Sequence, residues 1–491
     1  MCGITGVIDA SGYAAKKAVS LLAKMQNRGP QGACVIYGGA GQLHDEMRGA
    51  GSVETVFDGS HKLDCKRGSF AVGQVRYATV GDPSEACQPF LWQQHGRSAA
   101  LTHNGELANA GSLRAHALRR WGYECKSSSD TEAIIPWLMH MPGEDFKAKL
   151  LGVLQHCLEG AFSLVILYEG RLYCARDQHG FRPLAIGRGD GVHIAASESG
   201  AIDMLDAEYI RDVDAGELVV IGSDGIEEAI QWAGPRQRQS CVFEFIYFAG
   251  PDSNFEGISV SRARNRMGRN AFAESGWIDA DVIVPVFDSG VESAFGFHRA
   301  MEEQALREGR QPAEVPEMHA AVSRSWFVGR SFQESDQAAR EMLQRIKSNV
   351  IRTWVEGKRV IVVDDSIVRG TVMKTIIRLM RLAGAREVHV VIPSPPPKAP
   401  CPYGIDTYED ELVAACFGGD IAQIRDYIGA DSLRYLSQGG LLQAVAGAGK
   451  PGVRTPKDFC TSCFTGRYPV AFEQDRSKKP QKAGAFAVLS S

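Results

Sequence analysis

Apolar residues fall along this chain in two textures. Through the first ~235 residues they form short runs broken by Gly: "CGITGVID" (2–9), "SFAVGQVRYA" (69–78), "SAALTHNGEL" (98–107), "AFSLVILYEGRLYCARD" (161–177), "GVHIAAS" (191–197) and "GELVVIG" (216–222). Between them, helical spacing predicts helices near 15–27, 111–120 and 130–140. Many strands with few helices predict stacked antiparallel sheets with helices outside, an α+β arrangement. After "IQWAGPRQRQS" (230–240) helix and buried strand alternate. Helices are predicted near 260–275, 291–308, 334–349, 371–384 and 420–427, and strands at "ADVIVPVFD" (280–288), "KRVIVVDD" (358–365) and "REVHVVIPS" (386–394). Strands apolar on both faces and flanked by helices mark a parallel sheet, so the second half reads as α/β. "PSPPPKAPCP" (393–402) reads as a rigid, extended connector. The expected division is 2–235, 236–470 and a loose tail at 471–491.

Composition narrows the function without naming it. The chain has 491 residues, too many for one core. A formal charge of -4 speaks against nucleic acid as the main partner, and no apolar run approaches a membrane span. The N-terminus lacks a secretory pattern, which sets the expectation of a cytoplasmic protein. There the twelve cysteines are expected as buried thiols, nucleophiles or metal ligands rather than disulfides.

Two stretches carry chemistry. Cys2 follows Met1 directly, so methionine removal alone would leave a thiol beside a free α-amine. An amine of pKa near ~8 is a competent general base for that thiol. Farther on, the apolar run "RVIVVDD" (359–365) ends in two carboxylates, before "SIVRGTVMK" (366–374). Ligands of open α/β sheets bind beyond the carboxyl ends of strands, and the following helix offers N–H groups to a phosphate. Adjacent carboxylates need a cation or hydroxyl donors, and a sugar with Mg²⁺ supplies both. A helix cap carrying a spare acid is the plainer account.

"MCGITGVID", "QNRGPQGA" (26–33), "GQVRYATVGDPSEACQPF" (73–90), "LTHNGELAN" (101–109) and "SSSDTEAI" (127–134), in this order, resemble the glutaminase domain of the N-terminal-nucleophile amidotransferases. The resemblance implies that Cys2 attacks glutamine and that Asn104 and Gly105 form the oxyanion hole. Arg76 and Asp130 would clasp the substrate's α-carboxylate and α-amine, with Arg28 and Gly29 lining the pocket. The plainer account of Arg76 and Asp130 is an ordinary ion pair. Similar proteins usually read His-Arg-Gly-Gln where this chain has Asn27-Arg28-Gly29-Pro30, which implies altered loop rigidity.

The acid pair's segment resembles the phosphoribosylpyrophosphate (PRPP) loop of type I phosphoribosyltransferases. "VDDSIVRGT" (363–371) is close to the glutamine PRPP amidotransferases, which join these two domains in this order. "RDQHGFRPLAIG" (176–187), "ASES" (196–199), "CVFEFIYFAGPDS" (241–253), "FVGRSF" (327–332) and "IGADSLRYLS" (428–437) extend the likeness over about 2–470. It implies that Asp364, Asp365, Ser366, Arg369, Gly370, Thr371 and Arg330 bind PRPP, and that Ser289, Asp364 and Asp365 form the Mg²⁺ side. Glutamine and PRPP are the implied substrates, the product being 5-phosphoribosylamine. Purine nucleotide feedback and a homotetramer are further family expectations.

"CTSCFTGRYP" (460–469) with Cys241 and Cys401 resembles the iron–sulfur branch of that family. Cys241, Cys401, Cys460 and Cys463 would hold a [4Fe–4S] cluster, with zinc as the alternative. Departures gather in the second half: Val372-Met373 where Thr-Ser is usual, Phe287 where Pro is, Trp326 where Arg is, and Ser261 where Tyr is. Val372 with Ile376, Leu379 and Ala383 also fits a core-facing stripe. These substitutions keep open an alternative, a regulatory or other-acceptor paralogue with a weakened PRPP site.

Overall fold

The computed structural model describes residues 2–57, 63–77, 87–234, 237–324 and 348–474. Two antiparallel sheets build the first half. The seven-stranded sheet runs Glu208–Asp212, Ala185–Gly189, Val192–Ala196, Gly3–Asp9, Phe70–Arg76, Gly32–Gly39, Gln42–Ala50. The six-stranded sheet runs Gly225–Gln231, Glu217–Gly222, Arg171–Arg176, Gly160–Tyr168, Arg97–Leu107, Phe90–Gln94. Alternation along Gly3–Asp9 explains the stacking. Ile4 and Ile8 enter a core shared with Val165, Leu167 and Leu172 of the other sheet, whereas Val7 joins the core beneath helix Ala14–Lys24. On the outer face of the second sheet lie helices Ala110–Trp121, Ile135–His140 and Phe146–His156. The last of these escaped the sequence reading.

The second half carries a five-stranded parallel sheet, ordered Glu317–Met318, Val282–Pro285, Arg359–Val363, Glu387–Ile392, Ser432–Tyr435. Ile361 and Val363 face one core, and Val360 and Val362 the other, so both faces are buried as expected. Helices Val260–Ser275, Val291–Glu308 and Gln438–Ala446 cover the first face, and Thr371–Leu382 and Ile421–Ile428 the second. Arg359–Val363 is the central strand, which sets Asp364 and Asp365 at the middle of the sheet's carboxyl edge.

Three expectations change. Most of the helix expected at 334–349 lies outside the described residues, but its end, Ser348–Val350, is strand paired with Val322–Arg324. The stretch 393–402, expected as a rigid, extended connector, has no regular secondary structure and is largely buried. Residues 471–474 of the expected loose tail dock on the first half: Glu473 N–H donates to Ala108 O (3.0 Å), and Gln474 Nε2 to Leu107 O (2.7 Å).

Candidate functional site

Cys2 precedes the central strand of the first sheet, and its backbone N–H donates to Asn104 Oδ1 at 3.3 Å. Asn104 belongs to the facing sheet and is fully buried; its Nδ2 has no hydrogen-bond partner among the described residues. A buried amide donor without an acceptor costs about 1–3 kcal/mol. Such a cost is expected where an acceptor arrives only with substrate. Gly105 follows at φ +147°, and a Cβ there would stand 2.0 Å from Ala161 O, so only glycine fits.

Behind Asn104 lies a buried network that the motifs did not reveal. His103 N–H donates to Gln88 Oε1 (2.6 Å), Gln74 Nε2 to His103 O (3.1 Å), and Gln88 Nε2 to Thr131 Oγ1 (2.7 Å). Nδ1 of His103 lies 3.0 Å from Thr131 Oγ1. This network fixes the strand bearing Asn104 and the start of the turn carrying Asp130. Asp130 Oδ2 accepts from Leu107 N–H at 2.8 Å and lies 3.6 Å from His103 Nδ1. The signal available in the sequence was polar Gln74, Gln88 and His103 inside apolar surroundings.

Arg76 ends the strand Phe70–Arg76 and is buried. It and Cys2 both act electrostatically on Cys87, whose thiol is pushed up to about 12, chiefly by burial. Gly29 packs on the Arg76 backbone, where a Cβ would come within 2.5 Å. Arg28, the residue before Gly29, is buried as well. Its guanidinium is buried against Glu198 and Glu244, with Nη2 2.8 Å from Glu244 Oε2. Two buried carboxylates hold it charged more firmly than an ordinary guanidinium.

At the second site Asp365 accepts hydrogen bonds from Ser289 Oγ on one oxygen and Ser366 Oγ (2.5 Å) on the other. Its N–H donates to Asp364 Oδ1 at 2.9 Å, and Ser394 Oγ donates to its carbonyl at 2.7 Å. Burial raises the carboxyl above the usual aspartate range, opposed by those hydroxyls and by the charge of Arg264. Gly370, at φ +75°, caps helix Thr371–Leu382, whose first-turn N–H groups therefore open near the acid pair. Arg369 is ion-paired with Glu411 at 2.8 Å. Arg330 and Trp326 lie outside the described residues. The expected core stripe through Val372 is corrected: the helix buries Met373, Ile376, Ile377 and Met380, and Val372 is 57% exposed. The spacing i, i+3, i+4, i+7 starts one residue later than the sequence reading placed it.

Cys241, Cys401, Cys460 and Cys463 are all buried. Cys241 and Cys460 are register partners in a short parallel pair, and Cys463 O accepts from Lys398 N–H (2.9 Å) and Ala399 N–H (3.0 Å). The thiols of Cys241 and Cys463 each feel the other cysteines' charges, and burial raises both. Fully buried Arg182 stands among them, its charged form favoured by Cys241, Cys401 and Cys460. Among the described residues no three His, Cys, Asp or Glu side chains are grouped as ligands of one metal ion. No helix among them is long and apolar enough to cross a membrane.

Residues 74–204 match the family model described as a glutamine amidotransferase domain. The chain is thus a glutamine amidotransferase domain joined to a parallel-sheet domain whose acid pair ends the central strand. It is 38% identical over 481 residues to amidophosphoribosyltransferase 2, chloroplastic, of Arabidopsis thaliana, covering 97% of this chain and 81% of that one. It is 37% identical over 457 residues to the Bacillus subtilis amidophosphoribosyltransferase, covering 92% and 91%. The solved B. subtilis glutamine PRPP amidotransferase complexed with ADP and GMP superposes with a TM-score of 0.86 at 36% identity, covering 97% of this chain and 99% of that one. The chain belongs to the amidophosphoribosyltransferase family. Likeness at this level across both halves does not favour the paralogue alternative.

Proposed function

We propose that the chain forms 5-phosphoribosylamine from glutamine and PRPP, the first step of de novo purine synthesis. With Met1 removed, the α-amine of Cys2 takes the thiol proton, and sulfur attacks the side-chain carbonyl of glutamine. The oxyanion forms against Asn104 Nδ2 and the Gly105 backbone, where one such donor is worth ~2.7–4 kcal/mol. Collapse releases ammonia and leaves a thioester, which water hydrolyses to glutamate and free Cys2. Arg76 and Asp130 hold the α-carboxylate and α-amine, and Gly29 shapes the pocket wall. Ammonia then attacks C1 of PRPP and displaces pyrophosphate. Asp364 and Asp365 bind ribose hydroxyls and, with Ser289, the Mg²⁺ side; Ser366, Arg369, Gly370, Thr371 and Arg330 hold the phosphates. The unpartnered Asn104 donor beside Cys2 carries this reading.

We assign Cys241, Cys401, Cys460 and Cys463 to a [4Fe–4S] cluster in a structural role. Four buried thiols around a buried arginine suit an anionic cluster. Zinc, which four cysteine thiolates also suit, is the alternative. The proposed division near residue 235, feedback by purine nucleotides, a homotetramer and a cytoplasmic location complete the reading. The B. subtilis relative's ADP and GMP support the feedback element.

The test is PRPP-dependent pyrophosphate release with glutamine or ammonia as nitrogen donor. Cys2→Ala is expected to abolish the glutamine reaction and spare the ammonia reaction. Equal loss of both, or no turnover of PRPP by the unaltered protein, would refute the assignment.

A further inference from the structure

Helix Thr371–Leu382 begins on Gly370, which has no side chain to accept a hydrogen bond from the first turn. Ser, Thr, Asn or Asp at that place would fix the turn from within, whereas glycine has the greatest backbone freedom of all residues. The direction of the first-turn N–H groups therefore depends on what packs against the loop from outside. One segment, the crossover between strands Glu387–Ile392 and Ser432–Tyr435, meets three successive loop residues. Val413 N–H donates to Val368 O at 2.9 Å, Glu411 pairs with Arg369 at 2.8 Å, and the Tyr427 ring lies against Gly370. A Cβ on Gly370 would stand 2.9 Å from Tyr427 Cε1.

Tyr427 is itself firmly held. It stands in the last turn of helix Ile421–Ile428, which is capped by the Asp420 carboxylate at Ala422 N–H (2.8 Å) and Gln423 N–H (3.2 Å) and closed by Gly429 at φ +81°. Ile424 and Ile428 seat that helix in the core below. Phe417 backs the ring with 5.5 Å between centroids, and Lys374 Nζ lies 4.6 Å from the ring centre. Lys374 N–H donates to Gly370 O at 2.9 Å, the first intrahelical bond. One ring thus touches both residues of the bond that starts the helix.

We propose that Tyr427 is a positioning residue for the phosphate loop. Its ring does from outside what a side-chain cap does from within: it fixes Gly370 by contact and Lys374 by cation–π attraction, and so aims the free N–H groups of 371–373 at the sugar phosphate.

The inference rests on the PRPP reading of this loop. Its test compares the unaltered full chain with Tyr427→Ala, Tyr427→Phe and Ile424→Val, using ammonia as nitrogen donor. If the loop without the ring keeps its binding geometry about a tenth of the time, the KM for PRPP rises about tenfold while kcat stays within about twofold. Tyr427→Phe keeps the ring and should restore the KM. Ile424→Val loosens the same helix away from the loop, and should lower the urea midpoint while leaving the KM unchanged. An unchanged KM in Tyr427→Ala, a Tyr427→Phe as impaired as the alanine variant, or an equal KM rise in Ile424→Val overturns the proposal. Amide hydrogen exchange at 366–373 reads the same clamp without turnover, and should speed in Tyr427→Ala but not in Tyr427→Phe. That exchange pattern in a chain that does not turn over PRPP overturns the functional reading and leaves the clamp standing; unchanged exchange in Tyr427→Ala overturns the clamp.

Discussion

Replacing Asn104 by Ala separates catalysis from stability. The carboxamide is fully buried, and its folded-state hydrogen bond is the 3.3 Å contact with Cys2 N–H. Losing a bond of that length costs roughly 0.5–1 kcal/mol. Against this, Ala removes the unpartnered Nδ2, relieving a penalty of about 1–3 kcal/mol. A small void opens in exchange, so the denaturant midpoint should move by no more than the equivalent of ~1 kcal/mol. Glutaminase kcat should fall by about 10²–10³, the usual effect of deleting one oxyanion donor. Asn104→Asp keeps the volume but turns the donor into an acceptor, and is expected to be at least as inactive. Glutamate release, ammonia-dependent pyrophosphate release and urea unfolding of each variant make the comparison. The reasoning fails if Asn104→Ala loses less than about tenfold in glutaminase kcat, or if it destabilises by more than about 3 kcal/mol.

Asp212 carries a buried carboxyl pushed up to about 7, first by burial and then by the charge of Glu256, with Arg176 and Tyr209 opposing. Its folded pKa exceeds the ordinary 3.8, so stability falls as pH rises from about 4 through 7. Asp212→Asn should raise the unfolding midpoint at pH 8 by the equivalent of roughly 2–4 kcal/mol, with little gain at pH 4; parity at both pH values would contradict it. Val372→Thr adds a hydroxyl at an exposed first-turn position beside the acid pair. If this loop lacks one phosphate contact, the KM for PRPP should drop about tenfold or more, in keeping with ~1.5–3 kcal/mol for a charged hydrogen bond. An unchanged KM would mean that the backbone N–H groups suffice. Anaerobically purified protein should contain iron and sulfide in near-equal amounts, and Cys460→Ser should lose both; zinc alone would overturn the cluster.

The acid pair was legible because an apolar run ending in two carboxylates is a local pattern, and the central strand Arg359–Val363 ends there. Helices Val260–Ser275 and Val291–Glu308 were legible for the same reason, from their periodicity. Val372 was misread because one residue's slip in a helical stripe leaves most of its members apolar either way. The roles of Arg28 and Arg182 could not be read locally. Arg28 meets Glu244 at a separation of 216 residues, and Arg182 meets the carbonyl of Tyr403 at 221. Burial of 393–402 was hidden by its prolines, which suit an exposed spacer and, lacking N–H groups, are also undemanding when buried.

That buried passage has a consequence for modularity. A Cβ at Gly404, which sits at φ +109°, would lie 3.1–3.2 Å from the Gly105 backbone. Tyr403 O caps the Arg182 guanidinium (Nε at 2.9 Å), and Glu473 N–H is tied to Ala108 O. The wall behind the first reaction centre is thus encoded some three hundred positions downstream of it. A gene cut between the halves would not yield two working parts: the upstream fragment would retain the proposed nucleophile and lose the backing of the proposed oxyanion loop.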